Sequence, residues 1–467
     1  QNRGANRNIG FIDSSHPTRQ ITRNGNVTQG SFSPFSQDEG KWGNYFNGTG
    51  QNLSFADDAT FELGSGDFTI ECWAYLTGYS GENGEGFITK WGSGQLAYYL
   101  GTANGTNTHE LTFAWTTNGS TIQNLFSNYV PPLNEWHHYA VSRNSNEVRL
   151  YVDGVLKGSD LSFTDTIYSG SSPVAVGINN GFTNTWDVEG YISNARIVKG
   201  TGLYSAAFTP PTEPLTAITN TSLLTCQSNR FIDNSSNVHS ITLNGTPEVT
   251  PFSPFAPSTA YDPATKGGSG YFDMNGDYLK LTDTTAGQLG TSDFTVELWL
   301  YDKGTTNTIG VVITGYNGNN SLYHWAIQID RDADGNIYWY AGVTLSINST
   351  IKLKRNEWTH IAVVRNSGTT TLYVNGESGG SFSDSTNYVS PSGLTIGTDL
   401  NSPTLYEIYG YLSDVRITKG TALYTSAFTP PTAPLSTVSG TELLCNFTNA
   451  GIYDGTGRNV LETVGDA

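Results

Sequence analysis

Apolar and polar residues alternate along FTIECWAYL (68–76) and FTVELWLYD (294–302), the signature of strands. The alternation puts Phe68, Ile70, Cys72 and Ala74 on one face, with Thr69, Glu71 and Trp73 on the other. HHYAVSR (137–143) and THIAVVR (359–365) read the same way, and VRLYVDG (148–154) and TTLYVNG (370–376) follow them. Asp153-Gly154 and Asn375-Gly376 end those strands with residues that tolerate positive φ in a two-residue hairpin. A further strand at EGYISNARIV and IYGYLSDVRIT closes what reads as an antiparallel meander. FTPPTEPL and FTPPTAPL are too rich in proline for a ladder interior, so they predict the exit from each sandwich and the linker to the next.

The pattern occurs twice because the sequence itself repeats. GTGLYSAAFTPPTEPL (200–215) returns as GTALYTSAFTPPTAPL (420–435), with twelve of sixteen positions identical. FIDSS (11–15) matches FIDNSS (231–236), SFSPF (31–35) matches PFSPF (251–255), and TELLCNFTNAGIYDGTGRN repeats the layout of TSLLTCQSNRFIDNSSN. These matches predict a first repeat over 1–217, a second over 218–437 and the start of a third over 438–467, a window on a longer array. Each repeat is long enough to be a complete domain.

Composition sharpens the picture. Gly (53), Tyr (26) and Phe (21) are abundant, Met occurs once, and charged residues make up 14% of 467, a mixture poorly suited to long amphipathic helices. A net charge of −18 with no Lys/Arg cluster argues against nucleic acid as a partner. No apolar run reaches the ~20 residues of a membrane span, so insertion into a membrane is not expected, and the first residues lack the apolar stretch of a signal peptide. Cys226 and Cys445 read as equivalent positions in successive repeats and Cys72 is matched by Leu298, which suits buried apolar positions better than a disulfide framework.

Strands of the form FTIECWAY, NEWHHYAVSR, VRLYVDGV and GYISNARIVKG, in this order, resemble the laminin-G-like, concanavalin A-like jelly-roll family over nearly the whole chain. The resemblance implies an all-β fold of tandem concanavalin A-like (laminin-G-like) antiparallel β-sandwich jelly rolls, whose members bind glycans or proteins or act as structural appendages. The ending KGTxLYxxAFTPPTxPL, with LLTCQ and FIDNSS after it, is similar to the version in virion proteins of tailed bacteriophages, especially those of marine cyanobacteria. Glycoside hydrolases of this family need two carboxylates set across the scissile bond. Their Glu-x-Asp-x-x-Glu strand is missing here, and Glu71 and Glu297 recur singly, so each reads as a structural glutamate and the chain as no enzyme.

Asp330, Asp332 and Asp334 form the Asp-x-Asp-x-Asp-Gly run of a calcium loop, but its twelfth position is Ala341 rather than a bidentate Glu. Strand-like segments flank the run, so Asp334-Gly335 reads as a hairpin turn; no cofactor is assigned, with calcium held elsewhere in loops left open. His138 and His360 recur at equivalent places, as do Arg196 and Arg416, which predicts structural roles, the arginines pairing with an acidic group on a neighbouring strand. Side chains that differ between repeats are the better candidates for recognition. Tyr79, Trp91 and Trp186 in the first repeat, and Tyr316 and Tyr406 in the second, lie in or beside Gly/Asn-rich loops, where an aromatic ring can stack on a sugar.

These readings point to a virion appendage protein that attaches to host-surface glycans. The alternatives are a purely structural capsid, tail or filament component that contacts other virion proteins, and a secreted or cell-surface adhesin. A homo-oligomer is compatible with each.

Overall fold

A computed structural model describes residues 11–448 except 16–18, 81–83, 104, 106, 161, 179–185, 256–260, 282–284, 305–308, 317–322, 332–334, 390–392 and 400–404. The chain forms two compact units, residues 38–257 and residues 258–467 joined by 1–37. In the first unit an eight-stranded sheet runs in the order Val155–Asp160, Glu147–Val152, Trp136–Asn144, Phe68–Tyr79, Val188–Lys199, Gly43–Asn47, Glu248–Thr250, with Thr221–Thr225 also pairing with Val188–Lys199. Its partner sheet has seven strands: Ile241–Asn244, Asn52–Phe55, Val174–Val176, Gly86–Gly92, Gln95–Ala103, Glu110–Trp115 and Gln123–Phe126. The second unit repeats both orders, with Phe294–Asp302 central in its eight-stranded sheet and Tyr323–Asp330 pairing with Asn336–Ala341 in its seven-stranded one. All these pairings are antiparallel: the strands expected from the alternation form, and the tandem sandwiches that the family resemblance implies are what the chain adopts.

The alternation fixes the inward faces. Phe68, Ile70, Cys72 and Ala74 are at most 1% exposed. Thr69 and Glu71 on the opposite face are buried too, because residues 201–208 lie over that face: Thr69 Oγ1 donates to Thr201 O (3.1 Å) and accepts from Leu203 N (2.9 Å). The Asp153-Gly154 and Asn375-Gly376 turns have positive φ at both residues, as predicted for hairpins of their type. Gly154 is required there twice over, since a Cβ would sit 1.8 Å from Phe208 O.

Two sequence expectations change. FTPPTEPL does not leave its sandwich, because the chain returns as Thr221–Thr225 and pairs with Val188–Lys199. The units therefore divide at 37/38 and 257/258, not at 217/218 and 437/438: residues 241–244 and 248–250 complete the first unit, while 21–24 and 28–30 complete the second. The cause is that pairing follows the sheet edge and not the end of the sequence repeat. Cys226 and Cys445 are also not equivalent. Thr225 pairs with Ala195 as Cys445 pairs with Val415, so the counterpart of Cys445 is Thr225. All three cysteines are free and buried, as the composition suggested.

Candidate functional site

The side chains shared by both repeats converge on one buried cluster. On adjacent strands Glu71 and Arg196 are directly paired, and the carboxylate accepts from Arg196 Nε (2.9 Å) and Nη2 (2.6 Å). His138 Nε2 (3.0 Å) and the Tyr204 hydroxyl (2.8 Å) meet the other oxygen. Glu297, Arg416, His360 and Tyr424 repeat the arrangement, with Tyr424 again at 2.8 Å. Burial pushes the Glu71 carboxyl up, but the His138 hydrogen bond and the Arg196 charge outweigh it and hold its pKa down to about 2. A carboxylate so fully engaged and closed off from solvent has no free lone pair for a substrate, which fits the structural role read for Glu71, His138 and Arg196.

The units differ on the outer faces of their seven-stranded sheets. In the second unit Tyr323–Asp330 and Asn336–Ala341 pair in register, Gln328 with Tyr338 and Ala326 with Tyr340. Ile327, Ile329, Ile337 and Trp339 turn inward and join the core. By the two-residue period His324, Ala326, Gln328 and Asp330 share the outer face with Tyr338 and Tyr340. Both tyrosines are half-buried, with ring centroids 6.4 Å apart at 73°. The Tyr338 hydroxyl lies 3.4 Å from the Asp330 carboxylate. Partial burial and the Asp330 charge raise the Tyr340 pKa while a hydrogen bond with Gln328 opposes them, which places both polar groups beside that ring. The face thus joins aromatic surface to the Asp330 carboxylate, while Ala326 and Gln328 between them are buried.

The register places Tyr99 and Ala114 of the first unit where the second has Ala326 and Tyr340. That face is closed. Trp91, Leu96, Tyr99 and Ala114 form a small buried cluster with Trp186 packed against it, and Trp186 meets Tyr99 edge-on at 5.8 Å.

The five aromatics singled out from sequence thus separate. Trp91 is 2% exposed within the strand Gly86–Gly92, so its expected place as an exposed loop platform is corrected: the neighbouring tryptophan covers it. Trp186 is half-buried. Tyr79 stacks on His109 at 4.2 Å, and its hydroxyl bonds Pro131 O at 2.5 Å. Tyr406 is half-buried, and its carbonyl accepts from Val311 N (2.9 Å). The backbone of Tyr316 pairs with Tyr323, and its side chain lies outside the described residues. Asp330 belongs to the outer face just described, Asp332 and Asp334 lie outside the described residues, and no cluster of metal ligands occurs among the described residues. Sequence reasoning missed Tyr338 and Tyr340, although the alternation in NIYWYA marks both as outward.

The profile of the concanavalin A-like lectin/glucanases superfamily matches residues 47–201 and again 273–423. Among solved structures the chain is similar to a protein of Bacteroides ovatus described as carbohydrate-binding, at 15% identity over 45% of this chain and 59% of that one, with a TM-score of 0.34. It is similar to the heptameric SAP-like pentraxin of Limulus polyphemus, at 14% identity over 46% of this chain and 96% of that one, TM-score 0.32. It is also similar to domains LG4-5 of the mouse laminin alpha1 chain, at 12% identity over 86% of this chain and 95% of that one, TM-score 0.27. The chain thus spans under two thirds of the Bacteroides protein it matches. No curated protein matches it.

Proposed function

This chain belongs to the concanavalin A-like lectin/glucanases superfamily, and from that premise we propose that it is a non-enzymatic glycan-binding protein of a virion appendage, attaching to host-surface polysaccharide. The observation that carries the reading is the outer face of the second unit, where Tyr338 and Tyr340 stand half-buried beside the Asp330 carboxylate, with Gln328 buried next to the rings. Sugar C–H faces stack on such rings while hydroxyls bond a neighbouring carboxylate. Placement on a virion rests on the recurring KGTxLYxxAFTPPTxPL ending, and a secreted or cell-surface adhesin would use the same face. Glu71 and Glu297 are assigned to folding because each is committed to an arginine, a histidine and a tyrosine.

One observation favours a structural role for the first unit: its corresponding face is covered by Trp186. In this reading the first unit is a spacer that contacts other virion proteins, and the second carries the ligand. A glycan array probed with the 467-residue chain tests the proposal, followed by adhesion to intact host cells; binding to at least one glycan class is the supporting result.

A further inference from the structure

One segment occurs twice and does the same work by two covalent routes. In the first unit it is residues 231–257, which follow the strand Thr221–Thr225 after five intervening residues. Asp233 Oδ1 accepts from Leu224 N (3.0 Å) and Ser235 N (2.9 Å), and its Oδ2 accepts from His239 N (2.9 Å). Ile241–Asn244 and Glu248–Thr250 then add an edge strand to each sheet, and Phe252 and Phe255 pack on Tyr75 (5.0 Å) and Trp73 (5.8 Å).

In the second unit residues 11–37 make the same contacts. Asp13 Oδ1 accepts from Leu444 N (3.1 Å) and Ser15 N (2.9 Å), and its Oδ2 accepts from Arg19 N (2.9 Å). Ile21–Asn24 and Thr28–Gly30 add the two edge strands. Phe32 packs on Tyr301 (5.0 Å) and Phe35 on Trp299 (5.9 Å). Val27 enters the core fully buried. Each residue of the segment stands 220 positions before its counterpart, Asp13 before Asp233 and Phe35 before Phe255. The difference is the route: the Leu444 to Asp13 bond joins residues 431 apart in sequence.

We propose that residues 11–37 are a transferable completing segment, and that a second copy of this chain can supply it, joining chains head to tail. The acceptor consists of the two sheet edges at Tyr278–Leu281 and Ser269–Asp273, the Leu444 amide and an aromatic shelf, and none of these distinguishes a segment arriving from its own chain from one arriving from a neighbour. Beyond residue 37 the donor chain enters its own first unit, so each exchange links the second unit of one copy to the first unit of the next. Exchange creates no new contact, and its balance with internal closure is set by protein concentration against the effective concentration of the tethered segment.

The register supplies the test. Thr22 pairs with Lys280 across the added edge, and Thr22 is exposed. Full-length Thr22→Cys and Lys280→Cys chains are unfolded together, refolded under reducing conditions, oxidised mildly and run on a non-reducing gel, beside a chain carrying both substitutions. The native cysteines are buried and stay out of reach of the oxidant. The expected result is a disulfide-linked heterodimer of the two single variants, several-fold more abundant when refolding is done at tenfold higher concentration, and lost when Asp13→Ala is added to the donor. If the double variant closes only within its own chain and the mixture gives no heterodimer, exchange between copies is overturned. Absence of any cross-link overturns it too.

Discussion

Glu71 and Arg196 face each other across two paired strands, with Glu71 Oε1 2.9 Å from Nε and 2.6 Å from Nη2, under a lid formed by Tyr204 stacked on Phe208 at 3.7 Å. The pair is buried, so removing one partner strands the other charge. Glu71→Ala is expected to destabilise the first unit by about 3–5 kcal/mol. Denaturant unfolding monitored by tryptophan fluorescence checks this, and a loss under about 1 kcal/mol would mean the cluster is dispensable.

The same carboxylate gives the first unit an acid dependence. Its folded pKa of about 2 lies below its ordinary value of 4.5, so between these values the unfolded chain binds more protons than the folded one. The contribution is complete above pH 4.5 and is lost as pH falls toward 2. Unfolding of Glu71→Gln should be less sensitive to pH across that window than unfolding of the natural chain.

Asp414 predicts the opposite slope in the second unit. Burial pushes its carboxyl from 3.8 up to about 7, with hydrogen bonds from Ser413, Leu435 N and Asn446 opposing. The folded state therefore keeps a proton that the unfolded chain releases, and stability falls as pH rises from 4 to 7, by about 1.4 kcal/mol per pH unit for one proton. The first unit has Asn194 in the equivalent place, accepting from Leu215 N at 2.8 Å where Asp414 accepts from Leu435 N at 2.6 Å. Asp414→Asn should flatten that slope and raise the stability of the second unit at pH 8 by on the order of 1–4 kcal/mol. Thermal unfolding at pH 5 and pH 8 reads both effects.

Trp91→Ala separates folding from recognition. The side chain is buried against Tyr99 and Trp186, so the substitution should cost the first unit about 3–5 kcal/mol and leave glycan binding unchanged wherever that unit stays folded. A folded variant that lost binding would restore Trp91 as a contact residue.

Much of this was legible in the sequence and some could not be. Alternation at Phe68–Ala74 and the Asp153-Gly154 turn are local properties, and the structure follows them. Recurrence of Arg196 and Arg416 announced a pair with an acidic neighbour, but only strand order shows that Glu71 and Glu297 are the partners. The unit boundaries were hidden because residues 11–37 and 231–257 share their FID, IT, NG and FSPF positions but complete their units from opposite ends of the chain order. Trp91 was misplaced for a different reason. Its cover comes from Trp186, 95 residues later, and periodicity reports the face a side chain takes without reporting what lies over it.

The central claim is that Tyr338 and Tyr340 form the glycan platform, and calorimetric titration of the full chain and of its Tyr338→Ala/Tyr340→Ala variant with the strongest-binding array glycan tests it most directly. Both rings are half-buried at the surface, so the variant should stay folded with a stability loss of about 1 kcal/mol or so per site and a Kd raised roughly tenfold or more, ~1.4 kcal/mol of binding. Unchanged affinity in the folded variant, or a natural chain that binds no array glycan, would contradict the account.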